Sequence, residues 1–225
     1  MAPHVLLDSR LALWHETQRW LACSDLHYGR ETRQRAQGGL GPLWGAGHIE
    51  RTLQDLLAHY KPEKLILVGD IMDCTGSMDA TLALIARLSR ECEVVCIAGN
   101  HDRPALLRCS GFVRCHSEEG FFFHHGHCLR EMFELAARGA PCGAPCTHIT
   151  GHHHPAHVFT DGAGLKLKLP AFAQTTTQRF VADAAQDVPC WVLPAFSPWA
   201  SGAKLTIAQR VFAIHAHRIL TLDEP

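Results

Sequence analysis

No stretch of this 225-residue chain approaches the roughly 18 consecutive apolar residues of a membrane-spanning helix. Its start, MAPHVLLDSRLALW, lacks a basic region followed by a long apolar one, so no secretory signal is expected and a cytoplasmic location is. Excess charge is missing too. The 21 Lys and Arg nearly balance the 22 Asp and Glu, for a net charge of −1. No overall field therefore gathers nucleic acid or an acidic membrane, and contact with a polyanion must come from local arginines or bound metal. Repeats, linkers and low-complexity tracts are absent, and residues 1–225 are read as one domain. Hydrophobic residues at 47% against charged residues at 19% exclude a disordered chain. The ten cysteines lack the paired spacing of a zinc module. Cys23, Cys92, Cys96 and Cys190 sit singly in apolar segments, as reduced core thiols do. Cys142-Gly-Ala-Pro-Cys146 has no second pair; it reads as a loop, with a disulfide or an incidental metal as the other readings.

What the chain does have is histidine, 17 in all, and a recurring way of placing it. The centre is Leu65–Asp73, LILVGDIMD, where an apolar run ends in glycine and two aspartates. An aspartate just past a buried strand stands at the sheet edge, where its charge meets a ligand. The same design returns at Ser24-Asp25-Leu26-His27, Gly99-Asn100-His101-Asp102, His124-His125-Gly126-His127 and Gly151-His152-His153-His154. Each follows a strand-like apolar segment, as a metal site built from loops at one edge of a sheet would.

The pattern between these points predicts an α/β fold. Val5–Trp14 reads as a hairpin turning at Asp8-Ser9-Arg10, and Arg19–Cys23 as a strand. His48–Tyr60 is an amphipathic helix with Ile49, Leu53, Leu56, Leu57 and Tyr60 on one face, stopped by Pro62. Leu65–Val68 is a strand. Met78–Arg90 is a helix with Leu82, Ile85 and Leu88 inward, and Glu93–Ala98 a strand. This strand–helix alternation implies a partly parallel sheet. A helix starts at Pro104–Leu107. Phe121–Phe123 and Thr147–Thr150 are strands on either side of a helix at Leu129–Arg138. After Pro155 the segments Val158–Thr160, Leu165–Leu169, Cys190–Leu193, Leu205–Ile207 and Val211–Leu222 predict a mostly antiparallel layer without helices. Residues 28–47 read either as a solvated loop or as a phosphate-contacting flap carrying Arg30, Arg33 and Arg35.

Asp25, His27, Asp70, Asn100, His125, His152 and His154 form the candidate ligand set. Seven ligands exceed one tetrahedral zinc and suit two divalent ions with Asp70, from the most apolar strand, between them. A mixed N/O set without cysteine fits Mn²⁺, Fe or Zn²⁺. Asp25 and His27, like His152 and His154, are i and i+2, so in an extended chain each pair points one way and His153 points away. Two such ions suit in-line displacement at phosphorus, with a shared water losing a proton to become the nucleophile. His101 is placed to protonate the leaving oxygen as general acid, and Asp73 to orient it. The remaining histidines are expected to be structural.

The order DxH…GDxxD…GNHD…HGH…GHxH, from Asp25 to His154, resembles the calcineurin-like metallophosphoesterases. That resemblance implies a four-layer αββα sandwich of two mixed β-sheets flanked by helices, with a dinuclear site at their edge. It implies Asp25, His27, Asp70 and His154 on one metal and Asp70, Asn100, His125 and His152 on the other, with His101 as proton donor and Asp73 its partner. SDLHYGR at 24–30, GNHDR at 99–103, GHHHPA at 151–156 and the two LPAF segments at 169–172 and 193–196 resemble the DNA ligase-associated metallophosphoesterase family. This second resemblance implies a DNA-repair endonuclease accompanying a ligase, a helicase and an exonuclease.

Three functions follow as expectations. The first is a two-metal phosphodiesterase acting on DNA. Arg30, Arg33 and Arg103, with Arg35 and Arg108, are its candidate phosphate contacts, and the net charge favours short, single-stranded or end-bearing strands. Trp14, Trp44 and Trp199 either stack bases or pack. The second is a phosphatase or phosphodiesterase for a small nucleotide-like substrate in a closed pocket. The third is a metal-dependent scaffold, against which an intact His101 and Asp73 argue.

Overall fold

A computed structural model describes residues 4–102, 104–108, 111–139 and 145–223. Among these residues fourteen strands run in chain order as β1 Val5–Asp8, β2 Ala12–His15, β3 Trp20–Cys23, β4 Lys64–Val68, β5 Glu93–Ile97, β6 Phe112–Val113, β7 Cys115–Glu118, β8 Phe121–His124, β9 Thr147–Thr150, β10 Ala156–Thr160, β11 Lys166–Thr176, β12 Pro189–Val192, β13 Arg210–His215 and β14 Arg218–Asp223. The α-helices are α1 Arg30–Ala36, α2 Gly45–Tyr60, α3 Met78–Leu88, α4 Pro104–Leu107, α5 Leu129–Ala137 and α6 Thr177–Phe180. One sheet has the order β1-β2-β3-β4-β5-β6 and the other β14-β13-β11-β12-β9-β8-β7, with β10 paired to β11 alone. Both are mixed. β3, β4, β5 and β6 are parallel neighbours after an antiparallel start. β8, β9 and β12 are parallel within an otherwise antiparallel sheet.

The layers follow from period-two alternation along buried strands. Leu21, Cys23, Leu65 and Leu67 face Leu53 and Leu56 of α2 and Leu84 and Leu88 of α3. The residues between them, Ala22, Ile66 and Val68, face Phe121, Phe123, Ile149, Phe172 and Trp191 of the second sheet. On the far side Phe122 packs on Met132 and Ala136 of α5. The sandwich is therefore α2/α3, sheet, sheet, α5, the four-layer fold expected. The parallel strands β3, β4 and β5 end at one edge, and β8 and β9 end against it.

Several expectations need correction. Residues 30–36 of the supposed loop form α1, which hides Glu31. α3 buries Leu88 and packs Ile85 partly against the core as expected, but adds Thr81 and Leu84 to the inward face and leaves Leu82 half-buried; the Thr81 hydroxyl donates to the Ser77 carbonyl at 2.8 Å. Leu205–Ile207 is a turn, where Ala208 N–H donates to Leu205 O. Val211–Leu222 is the hairpin β13–β14, and the C-terminal part holds one short helix, α6. The strand predicted at Leu165–Leu169 belongs to an 11-residue β11, whose first half pairs only with β10. Cys23, Cys96 and Cys190 are buried thiols, and burial pushes those of Cys96 and Cys190 up to about 12. Cys142 lies outside the described residues. No helix among the described residues is long and apolar enough to cross a membrane.

Candidate metal centre

The candidate ligands follow strand ends, but not in extended chain. Asp25, His27, Asp70, His152 and His154 have φ of 55°, 44°, 48°, 67° and 43°, half of the ten left-handed non-glycine residues among those described. This conformation costs an L-residue roughly 1–3 kcal/mol. Asp25 and His27 thus converge through two left-handed kinks, not through the i, i+2 alternation of a strand, and so do His152 and His154. Strain concentrated at ligand positions is what a preorganised site carries.

Hydrogen bonds hold these kinks. Asp25 N–H donates to Gly69 O at 3.1 Å and His27 N–H to Asp70 O at 2.9 Å, joining the loops after β3 and β4. The Asp25 carboxylate accepts His152 N–H at 3.0 Å, joining the two sheets. Asp70 Oδ1 accepts His101 N–H at 2.8 Å. Sequence reading missed Asp102. One of its oxygens accepts Met72 N–H and the other Gly99 N–H, both at 2.9 Å. It clamps the loops after β4 and β5 from behind, and burial pushes its pKa up to about 6. The signal was there as the last letter of GNHD. Glycines give room. A Cβ at Gly99 would lie 2.1 Å from Asp70 Oδ1, and one at Gly151 2.5 Å from Asp25 Oδ2.

Two ligand groups meet across Asp70. Ligand atoms of Asp25, His27 and His154 lie within 4.8 Å of one another, and so do those of Asp70, His125 and His152. Asp70 also stands 3.9 Å from His27 Nε2 and 4.0 Å from His101 Nε2. His125 Nε2 is 3.4 Å from Asp70 Oδ1 and 3.0 Å from Asn100 Oδ1. All seven candidate ligands are thus brought to one place. His153 turns away and stacks on Phe180 with ring centroids 5.1 Å apart.

The donor set fits divalent ions. His154 Nε2 lies 3.1 Å from Asp25 Oδ1, yet it is buried without a hydrogen bond, as two lone pairs facing a cation would be. Burial pushes the imidazoles of His27 and His152 down to about 4, leaving them neutral, the form that ligates metal. Burial pushes Asp70 upward, but the His125 hydrogen bond and charge outweigh it and keep the carboxylate ionised.

The other predicted residues are placed unequally. His101 is at the mouth, 44% exposed, its ring edge-on to His27. Asp73 is buried, with Oδ2 2.9 Å from Arg33 Nε and Oδ1 3.8 Å from His27 Nδ1. It reaches His101 only through its charge, because α1 brings Arg33 to the carboxylate first. Arg33 is thereby tethered, while Arg30 Nε is buried without a hydrogen bond. Arg103 lies outside the described residues. Trp14 is packed, stacked on Tyr60 at 4.9 Å.

A family model described as calcineurin-like phosphoesterase matches residues 19–220. The chain belongs to the calcineurin-like phosphoesterase family. Calcineurin-like phosphoesterases are metal-dependent hydrolases of phosphoric esters that typically bind two divalent metals, which accords with the paired His/Asp groups. The Pseudomonas putida nuclease MPE is similar in structure, with 25% identity and a TM-score of 0.63 over 97% of this chain and 94% of that one. The phosphoesterase Yfce from E. coli is similar at 14% identity and a TM-score of 0.44, over 91% of this chain and 98% of that one. None of the curated proteins matches the chain.

Proposed function

We propose that this calcineurin-like phosphoesterase is a phosphodiesterase that cuts DNA, with a role in repair. The similarity to a nuclease over 97% of the chain carries the reading. The sequence resemblance to the DNA ligase-associated family supports the repair role, with a ligase, a helicase and an exonuclease as partners.

In this reading Asp25, His27, Asp70 and His154 would hold one divalent ion, and Asp70, Asn100, His125 and His152 the other, with Mn²⁺ the preferred metal. The ions would supply an activated water and neutralise phosphoryl charge. Asp70 keeps its charge between the two groups, held by His101 N–H and His125. Asp102 fixes the Asn100–His101 turn. His101, exposed at the mouth, gives its proton to the leaving oxygen. Asp73 is a positioning residue that anchors Arg33 behind His27. Arg30 and Arg103 contact phosphates.

The test is hydrolysis of an aryl phosphodiester beside the matching monoester on metal-stripped protein refilled with Mn²⁺, followed by single-stranded and duplex DNA. Metal-dependent diester turnover with cleavage of DNA is expected. Preference for the monoester would replace this reading with a small-molecule phosphatase.

A further inference from the structure

Residues 197–203 run along the metal centre and are tied to it at both ends. Ser197 N–H donates to Asp25 O at 3.1 Å, and Ala203 N–H to His154 O at 3.0 Å. Trp199 stands in the middle of this strap. Its indole N–H donates to Glu31 Oε1 at 3.1 Å. The same oxygen accepts Ala46 N–H at the start of α2, at 2.9 Å. Glu31 is buried and follows Arg30, whose N–H bonds His27 O. One carboxylate therefore joins α1, α2 and the strap within a few residues of three candidate ligands. The fit requires Gly45, since a Cβ there would lie 2.0 Å from Trp199 Nε1. Against this anchored indole lies Trp44, with ring centroids 4.7 Å apart and planes at 43°, and His48 supports it edge-on.

Trp44 is held in place and yet open. Trp14, Trp20 and Trp191 are buried, whereas Trp44 is 49% exposed, and Leu40 and Leu43 just before it are exposed too. A fixed, half-bare indole packed on the strap that is tied to Asp25 and His154 suits a flat π-system. A chain of net charge −1 also needs affinity for a strand from something other than charge. Stacking supplies it, and every base has a π-face. Bases in a duplex are already stacked on one another, so an unpaired base is the partner.

We propose that Trp44, backed by Trp199, is a stacking subsite for an unpaired nucleobase of the strand whose phosphodiester lies at the metal centre. This rests on the phosphodiesterase reading above. It makes single strands, flaps and frayed ends the favoured substrates, with little preference among bases. Glu31 and Gly45 are positioning residues for the platform.

The test is fluorescence anisotropy on the full chain, stripped of metal so that no strand is cut, with labelled oligothymidylate and an abasic strand of equal length and charge. The wild type is expected to bind the base-bearing strand about tenfold tighter, a typical return for one stacked base. In Trp44→Ala that ratio falls toward one. Trp44→Phe keeps part of it. Trp44→Leu, apolar but without a π-face, loses it as alanine does. Circular dichroism verifies that each variant is folded. Equal affinities in the wild type, an unchanged ratio in Trp44→Ala, or full retention in Trp44→Leu would overturn the subsite. Aryl diester turnover by the metal-loaded wild type decides the phosphodiesterase reading separately, so the two failures are distinguishable.

Discussion

Gly99 and Asp70 fit together with no room between them: a methyl group on the Gly99 α-carbon would lie 2.1 Å from Asp70 Oδ1. That oxygen is already fixed by His101 N–H at 2.8 Å and faces His125 Nε2 at 3.4 Å. Gly99→Ala should displace the carboxylate, with overpacking strain of roughly 1–3 kcal/mol. Bound metal, measured by elemental analysis, should fall below the wild-type content. Diester turnover should drop about a hundredfold, as for a misplacement near 1 Å. A variant with full metal content and full activity would show that Asp70 does not need its observed position.

His101→Ala should lower hydrolysis of a diester with a poor leaving group by roughly 10²–10⁴-fold. The loss should shrink for a nitrophenyl leaving group, which needs no proton, while metal content stays at the wild-type value. Equal losses for both leaving groups would remove the general-acid role.

Chelation should lower the melting temperature, because ions that bind only the folded chain stabilise it. At free metal about a hundredfold above its Kd, one site contributes about 2.7 kcal/mol. Calorimetry with and without chelator measures this. Identical melting curves for the stripped and refilled protein would show that the site does not bind the metal tested.

His148, which is outside the ligand set, provides a pH test. It is buried, and its Nδ1 lies 3.1 Å from Nε2 of buried His124. Burial pushes His148 down to about 4 and His124 well below its usual 6.5. Below pH 6.5 the unfolded chain therefore binds more protons than the folded one. Stability should be full above that pH and decline toward pH 4, by about 1.4 kcal/mol per pH unit for each responding group. His148→Leu should cost about 1–3 kcal/mol at pH 7 by stranding His124, and should flatten the decline. Urea unfolding at pH 7 and pH 5 in chelator checks both. An unchanged slope would mean that other histidines carry it.

The ligands were legible in the sequence because each follows an apolar strand, and β3, β4, β5, β8 and β9 lie where Arg19–Cys23, Leu65–Val68, Glu93–Ala98, Phe121–Phe123 and Thr147–Thr150 were expected. Their convergence was legible for a different reason than the structure gives. Alternation suggested that i and i+2 share a side, whereas left-handed kinks at Asp25 and His27 bring them together, and the enrichment of Asp and His at positive φ is too small to announce such a kink from sequence. α1 was hidden because RETRQRA has no apolar face; it is fixed by Glu31, whose partners Ala46 and Trp199 are 15 and 168 residues away. Asp73 was read against His101 because it follows Asp70 by three residues, but Arg33 reaches it first, through a helix the sequence did not announce.

The bond from His152 N–H to the Asp25 carboxylate closes a span of 127 residues. Neither sheet holds a complete ligand set: Asp25, His27, Asp70 and Asn100 follow strands of one, while His125, His152 and His154 follow strands of the other. Closing so long a loop is among the slower acts of folding. The centre therefore comes into being after the two halves of the chain have docked. Bound metal should then act on the exit from the native state rather than the approach to it, slowing unfolding while leaving the folding rate nearly untouched.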